Sequence, residues 1–106
     1  HPAVIAAAHA YRHGFGTAPV FLRNGGTIPV AGLIQEILHL PIVLMGFGLP
    51  DDGIHGPNEK FHLPNFFNGI ETSIRFLTAI GQGQHTSLVR RDNSQHIRNT
   101  VMFRRP

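Results

Sequence analysis

Three stretches of the chain place apolar residues at the spacing of an amphipathic helix. The first covers roughly residues 2–14, and Pro2 suits its first turn. The second begins after Thr27, which can act as its N-terminal cap, and has Pro29 in its first turn. The third ends near Gly81. Each stripe predicts a helix that buries one face. The stripes consist of Val4, Ile5, Ala8, Tyr11 and Phe15; of Val30, Leu33, Ile34, Ile37 and Leu38; and of Leu63, Phe66, Phe67, Ile70, Ile74 and Leu77.

Two short segments between these helices have the composition of β-strands. Residues 19–23 are β-prone and run into the turn Asn24-Gly25-Gly26. Residues 42–45 are continuously apolar, which is typical of a strand covered on both faces in a parallel sheet. The order α-β-α-β-α favours a right-handed β-α-β unit. The predicted fold class is therefore α/β, a small three-layer fragment with a two-strand parallel sheet.

A two-strand sheet leaves unpaired backbone groups on both flanks. The three apolar stripes also offer more apolar surface than so small a chain covers by itself, and large apolar patches are uncommon on soluble monomers. We therefore expect a homo-oligomer that completes the fold by pairing edge strands or exchanging a helix. The apolar segment Val101-Met102-Phe103 is a candidate for an added strand at such an edge.

Charge divides the chain near residue 82. Residues 1–82 carry four cationic and five anionic side chains, a net charge of −1, whereas residues 83–106 carry five arginines and one aspartate, a net charge of +4. We interpret residues 1–81 as one α/β segment and residues 82–106 as a basic tail, whose polar composition is typical of disordered or conditionally ordered chain. The tail has almost no aromatic residues between its arginines, so nucleic acid is not an expected partner.

Composition excludes several classes of protein. The chain has no cysteine, so it has no disulfide framework and no thiol nucleophile or thiolate ligand. No stretch reaches the roughly 18 consecutive apolar residues that a membrane span needs. We expect a soluble protein without a membrane partner, and the missing cysteines fit a cytoplasmic location. The eight histidines are the only nitrogen ligands that the side chains offer to a transition metal.

The densest polar cluster is residues 51–60, directly after the second predicted strand. Open α/β sheets place their sites at the carboxyl ends of strands. Imidazole and carboxylate groups are suited to zinc, and the glycines and proline of the cluster bend the backbone around His55. His55 is therefore a candidate metal ligand, although an isolated loop histidine is more often a solvated side chain.

A second candidate is the turn Gly25-Gly26-Thr27 at the start of the second predicted helix. Free backbone N–H groups and the positive end of the helix dipole hold anions at such turns, so a carboxylate or phosphate would suit it. A plain capped turn without a ligand explains the same residues. His9 and His13 lie opposite the apolar stripe of the first helix, where we expect them to be solvated.

Two segments resemble signatures of the carnosinase and aminoacylase family of zinc-dependent peptidases. They are residues 23–30 (RNGGTIPV) and residues 46–61 (GFGLPDDGIHGPNEKF), in the order and at the spacing of the dipeptidase branch. The opening of the chain, with its alanine-rich helix, is similar to the point where that family's chain returns to its catalytic domain. The resemblance covers about residues 1–80 and implies the carboxy-terminal part of that domain.

The resemblance implies that His55 is a zinc ligand and that Gly25, Gly26 and Thr27 hold the terminal carboxylate of a dipeptide or N-acyl amino acid. The family's remaining site residues are a His-x-Asp pair, a bridging aspartate, a further carboxylate ligand and a glutamate base. The chain contains no His-x-Asp pair and no Glu-Glu pair. Two-metal activation of water therefore cannot be assembled from these residues alone, and no catalytic residue is assigned.

Three functional hypotheses remain open from the sequence. The chain is a segment of a zinc metallopeptidase that is incomplete alone, a non-catalytic module that self-associates and binds a ligand weakly, or a hydrolase whose site is built at an oligomer interface. Hydrolysis that depends on zinc and on His55 favours the first or the third hypothesis, and absence of turnover favours the second.

Overall fold

A computed structural model describes residues 1–23, 28–82 and 100–103. The elements in chain order are α1 (Pro2–Phe15), β1 (Val20–Arg23), α2 (Pro29–Leu38), β2 (Leu44–Met45), α3 (Leu63–Gly81) and β3 (Thr100–Phe103). No helix within these ranges is long and apolar enough to cross a membrane. The coarse prediction of a small, helix-rich α/β fragment is confirmed.

The predicted helices have clear start and stop residues. Pro2 lies in the first turn of α1, the His1 ring nitrogen Nδ1 accepts a hydrogen bond from the Ala3 N–H at 3.2 Å, and Gly16 ends the helix with φ 72°. Such a left-handed residue costs glycine little because it has no Cβ. In α3 a proline again occupies the first turn, and the helix runs through Gly81 as predicted.

The sheet differs from the predicted pair of parallel strands. It has three strands in the order β1-β3-β2, so the predicted direct pairing of the first two strands is wrong. β3 is antiparallel to β1, with Val20 opposite Phe103, and parallel to β2, with Leu44 opposite Val101. The physical reason is that the apolar segment 100–103 supplies the middle strand. This strand pairs with one edge of β1 and with one edge of β2.

The second strand is also shorter and less covered than its sequence suggested. It comprises only Leu44–Met45, and residues 42–45 are half-buried rather than enclosed on both faces. β3 lies within the segment 82–106, and residues 83–99 and 104–106 of that segment lie outside the described residues.

The core lies between α1 and α3 and is built mostly from small side chains. α1 buries Ala3, Ala6, Ala7, Ala10 and Tyr11, and α3 buries Asn65, Gly69 and Thr72. A Cβ added at Gly14 would overlap the Thr72 hydroxyl and lie 3.0 Å from the Asn68 carbonyl oxygen, so the helices approach closely there. Small residues permit this approach because their side chains add little bulk between the two backbones.

The large apolar residues of α2 and α3 do not form this core. All six residues of the predicted α3 stripe are exposed, from 45% for Ile70 to 68% for Leu63, and α2 buries no residue at all. This exposure agrees with the expectation that the three stripes offer more apolar surface than so small a chain covers by itself. The reason is that α3 turns its small and polar face, not its apolar face, toward the alanines of α1.

The Gly14 contact makes a prediction about stability. Gly14→Ala forces a methyl group into the α1–α3 contact, and overpacking of this kind costs about 1–3 kcal/mol, more than the up to about 1 kcal/mol that alanine gains over glycine in a helix. We expect a lower midpoint in thermal unfolding followed by circular dichroism. Gly32→Ala is the matched control, because a Cβ at Gly32 in α2 meets nothing within 4 Å, and it should leave the midpoint unchanged or raise it. A Gly14→Ala chain as stable as the parent would contradict the close approach.

Candidate metal-binding loop

The candidate site is the loop between β2 and α3, and its first residues are fixed to both core helices. The Tyr11 hydroxyl donates to the Gly46 carbonyl oxygen at 2.9 Å, and the Asn65 side-chain amide donates to the Phe47 carbonyl oxygen at 2.9 Å. Tyr11 and Asn65 are fully buried. Hydrogen bonds from such side chains hold the loop backbone where β2 ends, since buried polar groups need partners.

Aromatic packing adds to this anchoring. The Phe47 ring stacks on Tyr11 and on Phe15, with ring centroids 5.7 Å apart in both pairs, and Tyr11 and Phe15 stack at 4.6 Å. Gly69 of α3 lies under the same ring, because a Cβ there would come within 2.7 Å of Phe47 Cδ2. The start of the loop is therefore fixed between α1 and α3.

Asp52 organises the middle of the loop. It is 2% exposed, and its Oδ2 accepts a hydrogen bond from the Leu49 N–H at 2.7 Å. Its backbone N–H donates to the Leu49 carbonyl at 3.1 Å, and its carbonyl accepts from the Lys60 N–H at 2.9 Å. Asp52 therefore joins the beginning of the loop to its end. Its other carboxylate oxygen, Oδ1, is buried without a hydrogen-bond partner among the described residues.

A salt bridge closes the loop on its solvent side. The Lys60 ammonium lies 2.7 Å from Asp51 Oδ2, and both side chains are exposed. The hydrogen bond from Lys60 and then its charge lower the pKa of Asp51, and the same contact raises the pKa of Lys60. An exposed pair of this kind contributes little to stability but limits the positions of the loop's two ends.

The loop presents His55 to solvent on a constrained backbone. His55 and Asn58 have positive φ angles of 64° and 63°, and Gly53 has 65°. The Gly56 N–H donates to the Gly53 carbonyl at 2.8 Å, which makes a tight turn around His55. Left-handed backbone is uncommon for residues other than glycine and persists only where the surrounding structure holds it. The imidazole therefore lies exposed at the tip of a fixed turn.

The position of His55 agrees with the sequence prediction of an accessible loop after β2. The predicted role as a metal ligand is not tested by the structure, because the described residues contain no group of three or more histidine or acidic side chains arranged around one point. Zinc takes four ligands in a structural site and at least three protein ligands in a catalytic one. The described residues alone therefore do not fit a complete zinc centre, and His55 offers one ligand of such a centre.

The other predicted site residues, Gly25, Gly26 and Thr27, lie outside the described residues. Their role in holding a carboxylate stays a prediction. The N-terminal cap of α2 is Ile28, which makes no side-chain capping bond, so the predicted capping role of Thr27 is wrong, whereas Pro29 lies in the first turn as expected.

A separate groove of about 730 Å³ lies between α1 and the second half of α3. It includes none of residues 46–60 and is not part of the candidate site. His9 and His13 line it and are exposed, as the sequence predicted, and Arg75 on the facing helix is paired with Glu71 at 2.6 Å.

Comparison with known proteins identifies the class of enzyme that the chain resembles. The chain matches a partial segment of metal-dependent dipeptidases. It is 41% identical over 78 residues to the Beta-Ala-His dipeptidase of Homo sapiens and 38% identical over 72 residues to the Cys-Gly metallodipeptidase DUG1 of Saccharomyces cerevisiae. The matches cover 74% and 68% of this chain but only 15% of each relative. No protein-family model matches the chain, and no solved structure matches it.

The loop contains features that the sequence analysis missed. Composition does not distinguish Asp51 from Asp52 within the polar cluster 51–60, yet Asp52 is buried and holds the loop together whereas Asp51 is exposed. The common turn pattern of aspartate does not indicate this role, because such a side chain bonds the backbone two residues further on, whereas Asp52 accepts from the N–H of Leu49, three residues before it. The anchoring of Phe47 by Asn65 joins residues 18 positions apart and has no local pattern.

The role of Asp52 can be tested by amide hydrogen exchange. Asp52→Ala removes the acceptor for the Leu49 N–H, and a lost buried hydrogen bond of this kind costs about 1–3 kcal/mol. We expect the Leu49 and Lys60 amides to exchange faster in this variant. Asp52→Asn keeps an oxygen acceptor at the same place and should preserve most of the protection. Unchanged protection of Leu49 in Asp52→Ala would show that the carboxylate does not hold the loop.

The Asp51–Lys60 salt bridge predicts the direction in which the pKa of Asp51 changes when the pair is broken. Because Lys60 lowers the pKa of Asp51, the pair's small contribution is present above the usual carboxyl range and is lost as pH falls through the lowered pKa. Lys60→Gln should raise the pKa of Asp51 toward its ordinary value in carboxyl ¹³C NMR titrations. Arg75→Gln, which breaks the other exposed ion pair, should leave the Asp51 pKa where it is. An Asp51 pKa that does not respond to Lys60→Gln would rule out the contact in solution.

Proposed function

We propose that the chain is a segment of a metallodipeptidase catalytic domain that contributes one zinc ligand, His55, and a carboxylate-holding turn, Gly25-Gly26-Thr27. Its substrates are small peptides or N-acyl amino acids, whose amide bond is hydrolysed. The observation that carries the proposal is the presentation of His55 at the tip of a turn fixed by Asp52, within a segment similar to dipeptidases.

This chain supplies one part of a metallodipeptidase site and lacks the rest. A neutral imidazole is a good zinc ligand, and zinc polarises a carbonyl and lowers the pKa of bound water when it is held with an open position. In this chain the hydrogen bonds of Asp52 hold the backbone of the loop that carries His55. The further ligands and the general base have no counterpart among its residues, so we expect no turnover from the chain alone. Its own contribution is ligand placement and substrate orientation.

Substrate orientation is the role proposed for Gly25, Gly26 and Thr27. Backbone N–H groups at a helix start and a hydroxyl donor suit a terminal carboxylate. The relatives named above act on dipeptides according to their names, and a dipeptide has such a carboxylate beside the bond to be cleaved. Binding this carboxylate would fix the distance between the amide bond of the substrate and the metal.

A segment exchange tests the proposal. The 78-residue region of human Beta-Ala-His dipeptidase that aligns with this chain is replaced by this chain's own residues. We expect hydrolysis of β-Ala-His that is sensitive to a chelator, and we expect His55→Asn in the hybrid to lower kcat/KM by roughly 100-fold or more because a metal ligand is lost. Asparagine tolerates the positive φ at this position, so the backbone should be kept.

His39→Asn is the matched control. His39 is also an exposed histidine with positive φ, 51°, but it follows α2 and lies outside the loop. This variant should keep the activity of the hybrid. A folded hybrid that is inactive, or one in which His55→Asn is as active as the parent, would contradict the assignment of His55.

A second prediction concerns the carboxylate holder. In the same hybrid, Thr27→Val keeps the side-chain shape but removes the hydroxyl donor. We expect KM to rise several-fold with little change in kcat, because an interaction made equally in the bound substrate and the transition state affects binding alone. A dipeptide amide, which lacks the carboxylate, should show no difference between the parent and the variant. Equal effects on both substrates would show that Thr27 does not bind the carboxylate.

Self-association without catalysis is a second candidate function, and one observation favours it. The large hydrophobic side chains exposed among the described residues are concentrated on two helices, with five of them on α2 and six on α3. Apolar side chains grouped in this way mark an interaction surface, whereas singly scattered ones do not. Under this alternative the hybrid would be inactive while the chain alone would form a defined oligomer.

A further inference from the structure

A fully buried asparagine lies near the start of α3 and contacts the candidate loop. Asn65 is 0% exposed and follows three residues after His62, the N-terminal cap residue of the helix. Packing against α1 needs no amide at this place, and a buried amide costs free energy unless its donor and acceptor groups find partners. The partners of Asn65 therefore indicate the role of its amide.

The amide of Asn65 joins the two ends of the loop. Its Nδ2 donates to the Phe47 carbonyl oxygen at 2.9 Å, and its Oδ1 lies 3.2 Å from His62 Nδ1. The orientation of the amide is fixed, since a carbonyl oxygen only accepts and must therefore face the NH₂ group. His62 Nδ1 then carries the proton that Oδ1 accepts. We define the Asn65 bridge as these two hydrogen bonds, which tie the start and the end of the loop to one side chain.

The residue type matters at this position. Leucine has nearly the same size but neither a donor nor an acceptor, and aspartate would place a carboxylate oxygen against the Phe47 carbonyl oxygen. One turn further along the same face, Gly69 leaves room for the Phe47 ring, because a Cβ there would come within 2.7 Å of its Cδ2. Asn65 and Gly69 therefore hold the backbone and the ring of the same loop residue.

Asp52 and Asn65 fix different properties of the loop. The hydrogen bonds of Asp52 run to Leu49 and Lys60, both within the loop, so they hold its shape. The bonds of Asn65 run from α3 to both ends of the loop, so they hold its position on the helix. Every group of the Asn65 bridge lies within residues 47–65, so the bridge needs no residue from outside this segment.

We propose that Asn65 is a positioning residue of the candidate metal site, because its bridge sets where the loop presents His55 relative to α3. The inference rests on the proposed function of His55, and Asn65 is assigned no contact with metal or substrate. Functional groups have to stand within about 0.5 Å of their productive place, and a misplacement of about 1 Å can lower a rate on the order of 100-fold. Loss of the bridge would keep the shape of the loop, which Asp52 holds, and would free its position.

Spin-label distances in the full chain without metal test the position of the loop. The chain has no cysteine, so Glu59→Cys in the loop and Leu77→Cys on α3, both at exposed positions, give one specific pair of labels. We expect a narrow distance distribution with Asn65 present and a clearly broader one with Asn65→Leu, because the loop then moves relative to the helix. An equally narrow distribution in Asn65→Leu would overturn the proposal, whatever His55 does.

The hybrid dipeptidase described above tests the consequence for zinc. We expect Asn65→Leu to raise the zinc Kd, measured by competition with a chromogenic chelator, roughly tenfold or more and to lower kcat by a similar factor. KM for β-Ala-His should change less than about twofold, because the proposed carboxylate holder lies outside the loop and keeps its place. A rise in KM alone would contradict a role in positioning the metal ligand.

Two further variants separate positioning from a simple loss of stability. Gly14→Ala disturbs the α1–α3 contact but leaves the Asn65 bridge intact, so it should lower the unfolding midpoint without changing the zinc Kd. His62→Ala removes one bond of the bridge at an exposed residue whose side chain makes no capping bond. It should raise the zinc Kd less than Asn65→Leu does, and the two effects should not add in the double variant, because both changes break the same bridge.

The results distinguish this inference from the proposed function. If His55→Asn removes the activity while Asn65→Leu and His62→Ala leave the zinc Kd unchanged, the role of Asn65 is wrong and that of His55 stands. Equal rises of the zinc Kd in Gly14→Ala and Asn65→Leu would show that stability alone is responsible, which also overturns the inference. If Asn65→Leu does not fold, His62→Ala decides by the same criterion. A folded parent hybrid that is inactive contradicts the assignment of His55, and the spin-label distances then decide on the Asn65 bridge alone.

Discussion

The close packing of α1 on α3 through small residues is the constraint on which the rest of the structure depends. The alanines of α1 and the contact of Gly14 with Thr72 bring the two helices close together, and Gly69 leaves the space that the Phe47 ring fills. The same contact leaves space for one aromatic cluster at the end of β2, where Tyr11 and Phe47 meet. The face that α3 packs against α1 therefore determines where the loop starts and which face of α3 stays exposed.

The contact between α1 and α3 fixes the position of the loop after β2, and the hydrogen bonds of Asp52 fix its shape. Buried carboxylates are costly unless hydrogen bonds satisfy them, and Asp52 has a bond on Oδ2 but none on Oδ1 among the described residues. Such an incompletely satisfied group is tolerated where it serves a local geometry, here a turn with left-handed residues at Gly53, His55 and Asn58. The left-handed turn and the unsatisfied oxygen therefore lie in the same short segment as the candidate ligand.

Hydrophobic periodicity predicted where the helices lie but not which face they bury. The bounds of the first and third helices agree with the structure because Pro2, Gly16 and Gly81 mark the ends locally. The buried face of α3 could not be predicted in the same way, since its apolar stripe is real and only its covering partner is absent from the described residues. The predicted strand pairing was wrong for a related reason, because β3 lies far along the chain from both of its neighbours.

The candidate site shows the same division between local and non-local information. His55 and its flanking glycines stand out in the sequence as a loop, and similarity to dipeptidases makes that loop a candidate for metal binding. The positive φ of His55 and the anchoring of Phe47 by Asn65 depend on contacts that no local pattern records. A candidate ligand on a rigid loop and an apolar helix face without a cover have one property in common. Both are half of an arrangement whose other half must come from outside these residues, because a single imidazole cannot hold zinc tightly and a helix face cannot bury itself.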